Sequence, residues 1–135
     1  AQPSVLIVED EVLISFGLAL ALNVAGYCVL GPTGSVRRAL DIAAAEHPEM
    51  ALVDINLAGN DEGIGLARNL RERHGTTILF LTAQPERARQ ARDVALGVVT
   101  KPYDVAAIPG VIEAVARHRR GEPLGSVPRF LELFH

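Results

Sequence analysis

Tryptophan is absent from this 135-residue sequence, and cysteine and methionine occur once each, beside two tyrosines and four phenylalanines. A core must therefore be aliphatic. With 49% hydrophobic residues, the chain can bury one without disulfide staples, in a single domain. The lone thiol, Cys28, cannot close an internal disulfide and sits in the apolar run Tyr27 to Leu30, so a buried, inert side chain in a reducing compartment is expected. No apolar run nears the roughly 20 residues of a membrane span, and no signal-peptide pattern is present. Together these point to a cytoplasmic protein without membrane attachment. A net charge of −3 gives no broad attraction to nucleic acid or anionic lipid. His47, His74, His118 and His135 stand singly, without metal-ligand spacing.

What is present is an alternation of short aliphatic runs with helical stretches. Val5 to Val8 reads as a buried strand, followed by a helix from Val12 to Ala25 that stops at Gly26. Tyr27 to Leu30 is a second strand, and Ser35 is a plausible N-cap for a helix reaching Glu46. Met50 to Asp54, Thr77 to Thr82 and Val98 to Thr100 read as further strands. Helices are expected at 64–73, 85–95 and 104–120. Strands that are apolar without alternation imply a parallel sheet covered on both faces. The expected fold is therefore an α/β doubly wound, five-stranded parallel sheet over residues 1–120. Residues 121–135 then form a linker and a short amphipathic tail, too small for an output domain.

In an open parallel sheet, ligands bind beyond the carboxyl ends of the strands. Those ends carry Glu9, Asp10 and Glu11, then Asp54, then Thr82, then Lys101 before Pro102. With strand order 2-1-3-4-5, Asp10 and Asp54 would face each other. Clustered carboxylates repel and raise each other's pKa, so they coexist as anions only around a cation. Hard oxygen donors with room for water suit Mg²⁺. An ammonium and a hydroxyl beside them are placed to meet an anion, a combination that describes phosphoryl transfer to a carboxylate nucleophile.

The runs Val5-Leu-Ile-Val-Glu-Asp-Glu11, Leu52-Val-Asp-Ile-Asn56, Leu81-Thr-Ala83 and Thr100-Lys-Pro102 resemble the receiver domain of two-component response regulators. That resemblance implies a flavodoxin-like fold. It further implies that Asp54 is the phosphoacceptor for a histidine kinase or histidine phosphotransferase. Asp10 would be a direct Mg²⁺ ligand, Glu9 the second acid, and Asn56 a backbone-carbonyl ligand. Thr82 and Lys101 would each bind a phosphoryl oxygen. The chemistry would be confined to the domain's own phosphorylation and dephosphorylation, so it would not be an enzyme in the ordinary sense. The alternative is a receiver-like interaction module that is not phosphorylated.

Some positions depart from the family pattern. Val98 stands where an aromatic is common, and Tyr103 lies on the other side of the lysine. The stretch from Ala83 to Gly97 is short, and Ala58 replaces a proline in a loop with inserted residues. These departures are similar to those of single-domain receivers of alphaproteobacterial type. The first helix is unusual too. Ile14, Leu18, Ala21, Leu22 and Ala25 share a core face, while Leu13, Phe16, Leu20 and Val24 form a second apolar stripe. That stripe is expected to dock the kinase's helical bundle or a second receiver (a homodimer), or else to be covered by the chain's own tail. Two enzyme classes fit poorly. A dinucleotide-binding site needs a Gly-rich turn where this chain has Glu9-Asp10-Glu11, and a haloacid-dehalogenase-like phosphatase needs an acid at Asn56.

Overall fold

The computed structural model describes residues 3–57 and 62–134. In chain order the elements are β1 (Ser4–Val8), α1 (Val12–Val24), β2 (Cys28–Thr33), α2 (Val36–Glu46), β3 (Met50–Asp54) and α3 (Glu62–His74). They continue with β4 (Thr77–Thr82), α4 (Pro85–Gln90), β5 (Gly97–Thr100), a 3₁₀ turn (Val105–Ala107), α5 (Ile108–Arg119) and β6 (Leu131–Leu133). Ala58, with the residues inserted beside it, and His135 lie outside the described residues.

The sheet order is β2-β1-β3-β4-β5-β6, parallel through β5. Successive side chains of a strand point to opposite faces, and each face here has its own apolar layer. Val5, Ile7, Leu52, Leu79, Leu81 and Val99 meet α1 and α5 through Leu18, Leu22, Val111 and Val115. Leu6, Val8, Val53, Ile78, Phe80 and Val98 meet α2, α3 and α4 through Ala39, Ala43, Leu66, Leu70 and Ala88. This two-sided burial explains why the strands read as continuous apolar runs. Ser35 caps α2 as expected, its side chain accepting from Arg38 N at 3.1 Å.

Four expectations need correction. First, the sheet has six strands, because the tail does not coil into an amphipathic turn. Its Leu131-Glu-Leu133 segment pairs antiparallel with β5, with Gly97 opposite Leu133 and Val99 opposite Leu131. Second, Cys28 is exposed. The strand β2 is the sheet edge, with one flank open to solvent. Third, α4 is a helix of six residues ending at Gln90 rather than at Ala95. Its arginine-rich sequence offers little apolar surface, with Ala88 as its one buried residue. Fourth, the tail does not cover the outer stripe of α1. Leu13 is 87%, Phe16 68% and Val24 80% exposed.

Gly97 explains why the tail can lie flat on the sheet edge. A Cβ at this position would stand 2.4 Å from the Glu132 carbonyl oxygen, closer than any side chain can sit. Substituting Gly97→Ala should push β6 off β5 and cost about 1–3 kcal/mol, the usual range for overpacking. The readouts are a lowered Tm and new tryptic cleavage at Arg129; an unchanged melt with the tail still protected would contradict the packing described.

Candidate functional site

The strand registers bring the expected residues to one edge of the sheet. Val8 pairs with Val53, Asp54 with Leu81 and Thr82 with Thr100. Glu9, Asp54, Thr82 and Lys101 therefore sit at neighbouring strand tips, and Asp10 follows Glu9 into the loop. Two glycines let the backbone close around them. A Cβ on Gly34 would meet Asp10 Cα and Cβ at 2.8 Å, and one on Gly63 would meet the Asp54 carbonyl oxygen at 2.1 Å. Only glycine permits the β2–α2 loop to cross Asp10 and the start of α3 to press on the end of β3.

Glu9, Asp10 and Asp54 can each offer a carboxylate oxygen within 4.8 Å of the others. Glu9 and Asp54 are buried and Asp10 is exposed, so the trio opens to solvent at one corner. Lys101 bridges the two buried acids. Its Nζ lies 2.9 Å from Glu9 Oε1 and 3.3 Å from Asp54 Oδ2. Each carboxylate also has a backbone donor: Glu11 N–H to Glu9 Oε2 at 3.1 Å, and Asn56 N–H to Asp54 Oδ1 at 3.0 Å. Asn56 itself is exposed, and its side-chain oxygen accepts from Arg87 at 3.3 Å. The Thr82 hydroxyl is buried and accepts from Gln84 N at 3.0 Å, which ties it to the start of α4.

The charges in this pocket do not balance. Three carboxylates face one ammonium, and the result falls on Glu9. Burial, then the hydrogen bond it shares with Asp54, push its carboxyl up to about 7, against the opposing pull of Lys101. Burial alone would lower Lys101, but Glu9 and then Asp54 outweigh it and raise the ammonium's pKa. The Lys101 contact with Glu9 Oε1 is close enough for an ion pair, yet it lacks hydrogen-bond geometry, so that buried oxygen is left without a donor. This atom is where an additional cation or donor would be accommodated.

Tyr103 is a group that sequence reasoning set aside as lying on the wrong side of the lysine. Its ring packs in the α1–α5 layer and meets Phe130, with ring centroids 6.1 Å apart. Its hydroxyl is buried without a hydrogen-bond partner. Burial, then the charges of Glu9, Asp54 and Glu11, raise its pKa. The signal available in the sequence was chemical: a tyrosine immediately after Lys101-Pro102 brings a hydroxyl to the site's rim.

The raised Glu9 pKa has a consequence for stability. Its ordinary value is 4.5, so the folded state binds the proton more tightly than the unfolded chain. That contribution is fully present below pH 4.5 and is lost as pH rises through about 7. With divalent ions chelated, the Tm should fall between pH 5 and pH 8, and Glu9→Gln should flatten this dependence. Parallel pH profiles for the two proteins would contradict the assignment.

Residues 5–113 match the family described as "Response regulator receiver domain". The chain is 34% identical over 119 residues to the transcriptional regulatory protein PdtaR of Mycobacterium tuberculosis, covering 85% of this chain and 58% of that protein. It is 31% identical over 110 residues to the phyllosphere-induced regulator PhyR of Methylorubrum extorquens, covering 80% and 41%. The chain thus spans about half the length of the curated relatives it matches. Among solved structures, the signal receiver domain of a modulated diguanylate cyclase from Desulfovibrio desulfuricans G20 superposes with a TM-score of 0.75 at 31% identity, covering 90% of this chain and all of that one. The chemotaxis response regulator CheY4 of Vibrio cholerae gives 0.74 at 26% identity, covering 85% and 99%. Matching this family over residues 5–113, the chain belongs to the receiver domains of response regulators, with their flavodoxin-like fold.

Proposed function

We propose that this domain is a phosphoacceptor in a two-component pathway or phosphorelay. On this reading Asp54 accepts a phosphoryl group from phosphohistidine of a kinase or phosphotransferase. The carrying observation is the bridge of Lys101 between Glu9 and Asp54, with Asp10 at the open corner. Three carboxylates around a single ammonium leave an excess of negative charge, and a hard divalent cation suits such an oxygen donor set. Glu9, Asp10, Asp54 and the Asn56 carbonyl are the residues that would hold Mg²⁺. When bound, Mg²⁺ would offset negative charge on the transferring phosphoryl group.

The protein's own groups divide the remaining work. Asn56 N–H and Lys101 grip the Asp54 carboxylate from two sides and fix its plane for in-line attack. As the new P–O bond forms, the P–N bond breaks and its electron pair leaves with the imidazole. Lys101 then pairs with one phosphoryl oxygen. Thr82, whose oxygen already accepts from Gln84 N, keeps its O–H free to donate to another. Hydrolysis restores the carboxylate, so the domain's chemistry is limited to its own modification. The setting proposed for this chemistry is the cytoplasm. No helix among the described residues is long and apolar enough to cross a membrane.

Phosphorylation adds on the order of −2 charge at this tip. Drawing Thr82 toward it pulls on the start of α4 through Gln84. Turning a largely inactive ensemble into a largely active one needs about 5 kcal/mol. A few charge-assisted hydrogen bonds at roughly 1.5–3 kcal/mol each can supply it. Output then passes by protein contact. The donor is proposed to dock on the exposed stripe of α1, Leu13, Phe16, Leu20 and Val24. Val12 and Phe16 line the same cleft as Glu9 and Asp10, so a helical partner seated there is carried to the acid cluster.

Incubation with acetyl phosphate and Mg²⁺ should add a phosphate-sized mass, abolished in Asp54→Asn and reduced at least about tenfold in Lys101→Ala. Labelling that survives in Asp54→Asn would refute the assignment. Leu20→Glu should slow transfer from a phosphohistidine donor while leaving acetyl phosphate labelling intact. Equal losses with both donors would count against α1 as the docking face.

A further inference from the structure

A second cleft, of about 420 Å³, opens at the end of the sheet opposite the acid cluster. Thr77 on its wall and Thr82 in the acid site are the two ends of β4, about 16 Å apart along the strand. The short α4 helps to shape this cleft. That helix stops at Gln90, and the chain from Arg92 to Leu96 leaves it as a turn that lines the cleft. Ile78, Val94 and Ala95 are buried and give it an apolar floor. Its rim is basic. Arg71 comes from the last turn of α3, Arg119 from the last turn of α5, and Arg92 from the turn after α4. None of these three side chains has a hydrogen-bond or ion-pair partner among the described residues. The one acid on the wall among those residues, Asp93, is already taken by Arg68 at 2.7 Å. Cations suit the last turn of a helix, which accounts for Arg71 and Arg119 taken singly. It does not account for Arg92, nor for three unpaired guanidinium groups around one hollow in a chain of net charge −3.

We infer that this cleft binds a small anion carrying two or more linked phosphate groups, with Arg71, Arg92 and Arg119 as its ligands. Guanidinium forks match phosphate oxygens in pairs, and their charge persists at any physiological pH. Three of them call for a compact anion of comparable charge, which a diphosphate supplies and a single carboxylate does not. The volume falls in the range of small-molecule sites and leaves no room for a folded partner. Free pyrophosphate and the phosphates of a nucleotide share this chemistry. A nucleotide would differ by resting its ring on the floor of Ile78 and Val94. Either anion would tie together the ends of α3 and α5 and the turn that leads into β5. Neither would touch Asp54 or Lys101, which lie at the far tip of the sheet.

Pyrophosphate and ADP serve as probes, with adenosine as the uncharged control. They are titrated into the ¹⁵N-labelled chain at low ionic strength with divalent ions chelated. Each anion should saturate one site with a Kd below about 1 mM, and adenosine should not bind. Amide shifts should move at 71–78, 92–96 and 119 while those at 9–11, 54–56 and 101 stay in place. Arg71→Ala and Arg119→Ala should each weaken binding at least about tenfold, the loss of one charge-assisted contact. Arg73→Ala, on the same helix end but outside the cleft, should leave the Kd unchanged. Equal affinities for the two probes would identify phosphate alone as the group recognised, and tighter binding of ADP would add its ring. The amide spectrum of each variant reports its fold; Arg71→Gln and Arg119→Gln, which keep more bulk, replace any that misfolds. Three results would each overturn the inference: no saturation by either anion, an affinity indifferent to Arg71 and Arg119, or shifts centred on Lys101. Asp54→Asn should bind both probes as the wild type does, so the outcome stands apart from the function proposed above.

Discussion

Lys101 between Glu9 and Asp54 is the contact on which the rest of this molecule depends. The ammonium lies within 2.9 and 3.3 Å of two buried carboxylates, with Asp10 close by at the surface. One positive charge is not enough for three acids, and the deficit appears as a Glu9 carboxyl raised to about 7. A fold seeking only stability would replace such a cluster with apolar side chains. On the function proposed above, the deficit is the working feature, a place for a divalent cation and a transferring phosphoryl group.

The fold supplies this arrangement with little freedom for error. Parallel strands β1, β3, β4 and β5 end at the same edge because their registers are locked by apolar layers on both faces. A slip of one residue would turn each layer inside out. Gly34 and Gly63 bring the backbone of other elements against Asp10 and Asp54, so the acids are positioned by close backbone approach as well as by side-chain packing. From this tip two paths lead outward. One runs from Thr82 through Gln84 to the short α4, and the other from Lys101 to Tyr103, whose ring touches Phe130. The tail strand joins them, since Glu132 holds Arg89 of α4 while Phe130 meets Tyr103.

Most of the parallel sheet and the acid cluster were legible in the sequence because both have strong local signatures. Apolar runs of strand length alternate with helical periodicity, and the charged residues stand immediately after the strands. Two features escaped. Cys28 lies in an apolar run, but the expected strand order already put β2 at the sheet edge, where one flank meets solvent. The shortness of α4, by contrast, was visible in the short stretch from Ala83 to Gly97 and in how little apolar surface Glu86 to Asp93 can bury, although its end at Gln90 was not. β6 is a three-residue stretch, too short to distinguish from a helical turn by periodicity. Its clearest sign was elsewhere, in Gly97 at the start of β5, a glycine in a strand where another backbone approaches. Tyr103 was visible as a residue, but not that its hydroxyl is buried without a partner within reach of the charges of Glu9 and Asp54.

The central claim is that a divalent ion relieves the crowding of these acids, and proton release tests it directly. Mg²⁺ titrated into the protein near pH 6.5, by calorimetry in buffers of differing ionisation enthalpy, should bind at one site. Because Glu9 holds its proton up to about pH 7, binding should expel a substantial fraction of one proton there and almost none at pH 8.5. Absence of binding, or binding with the same proton balance at both pH values, would contradict the account.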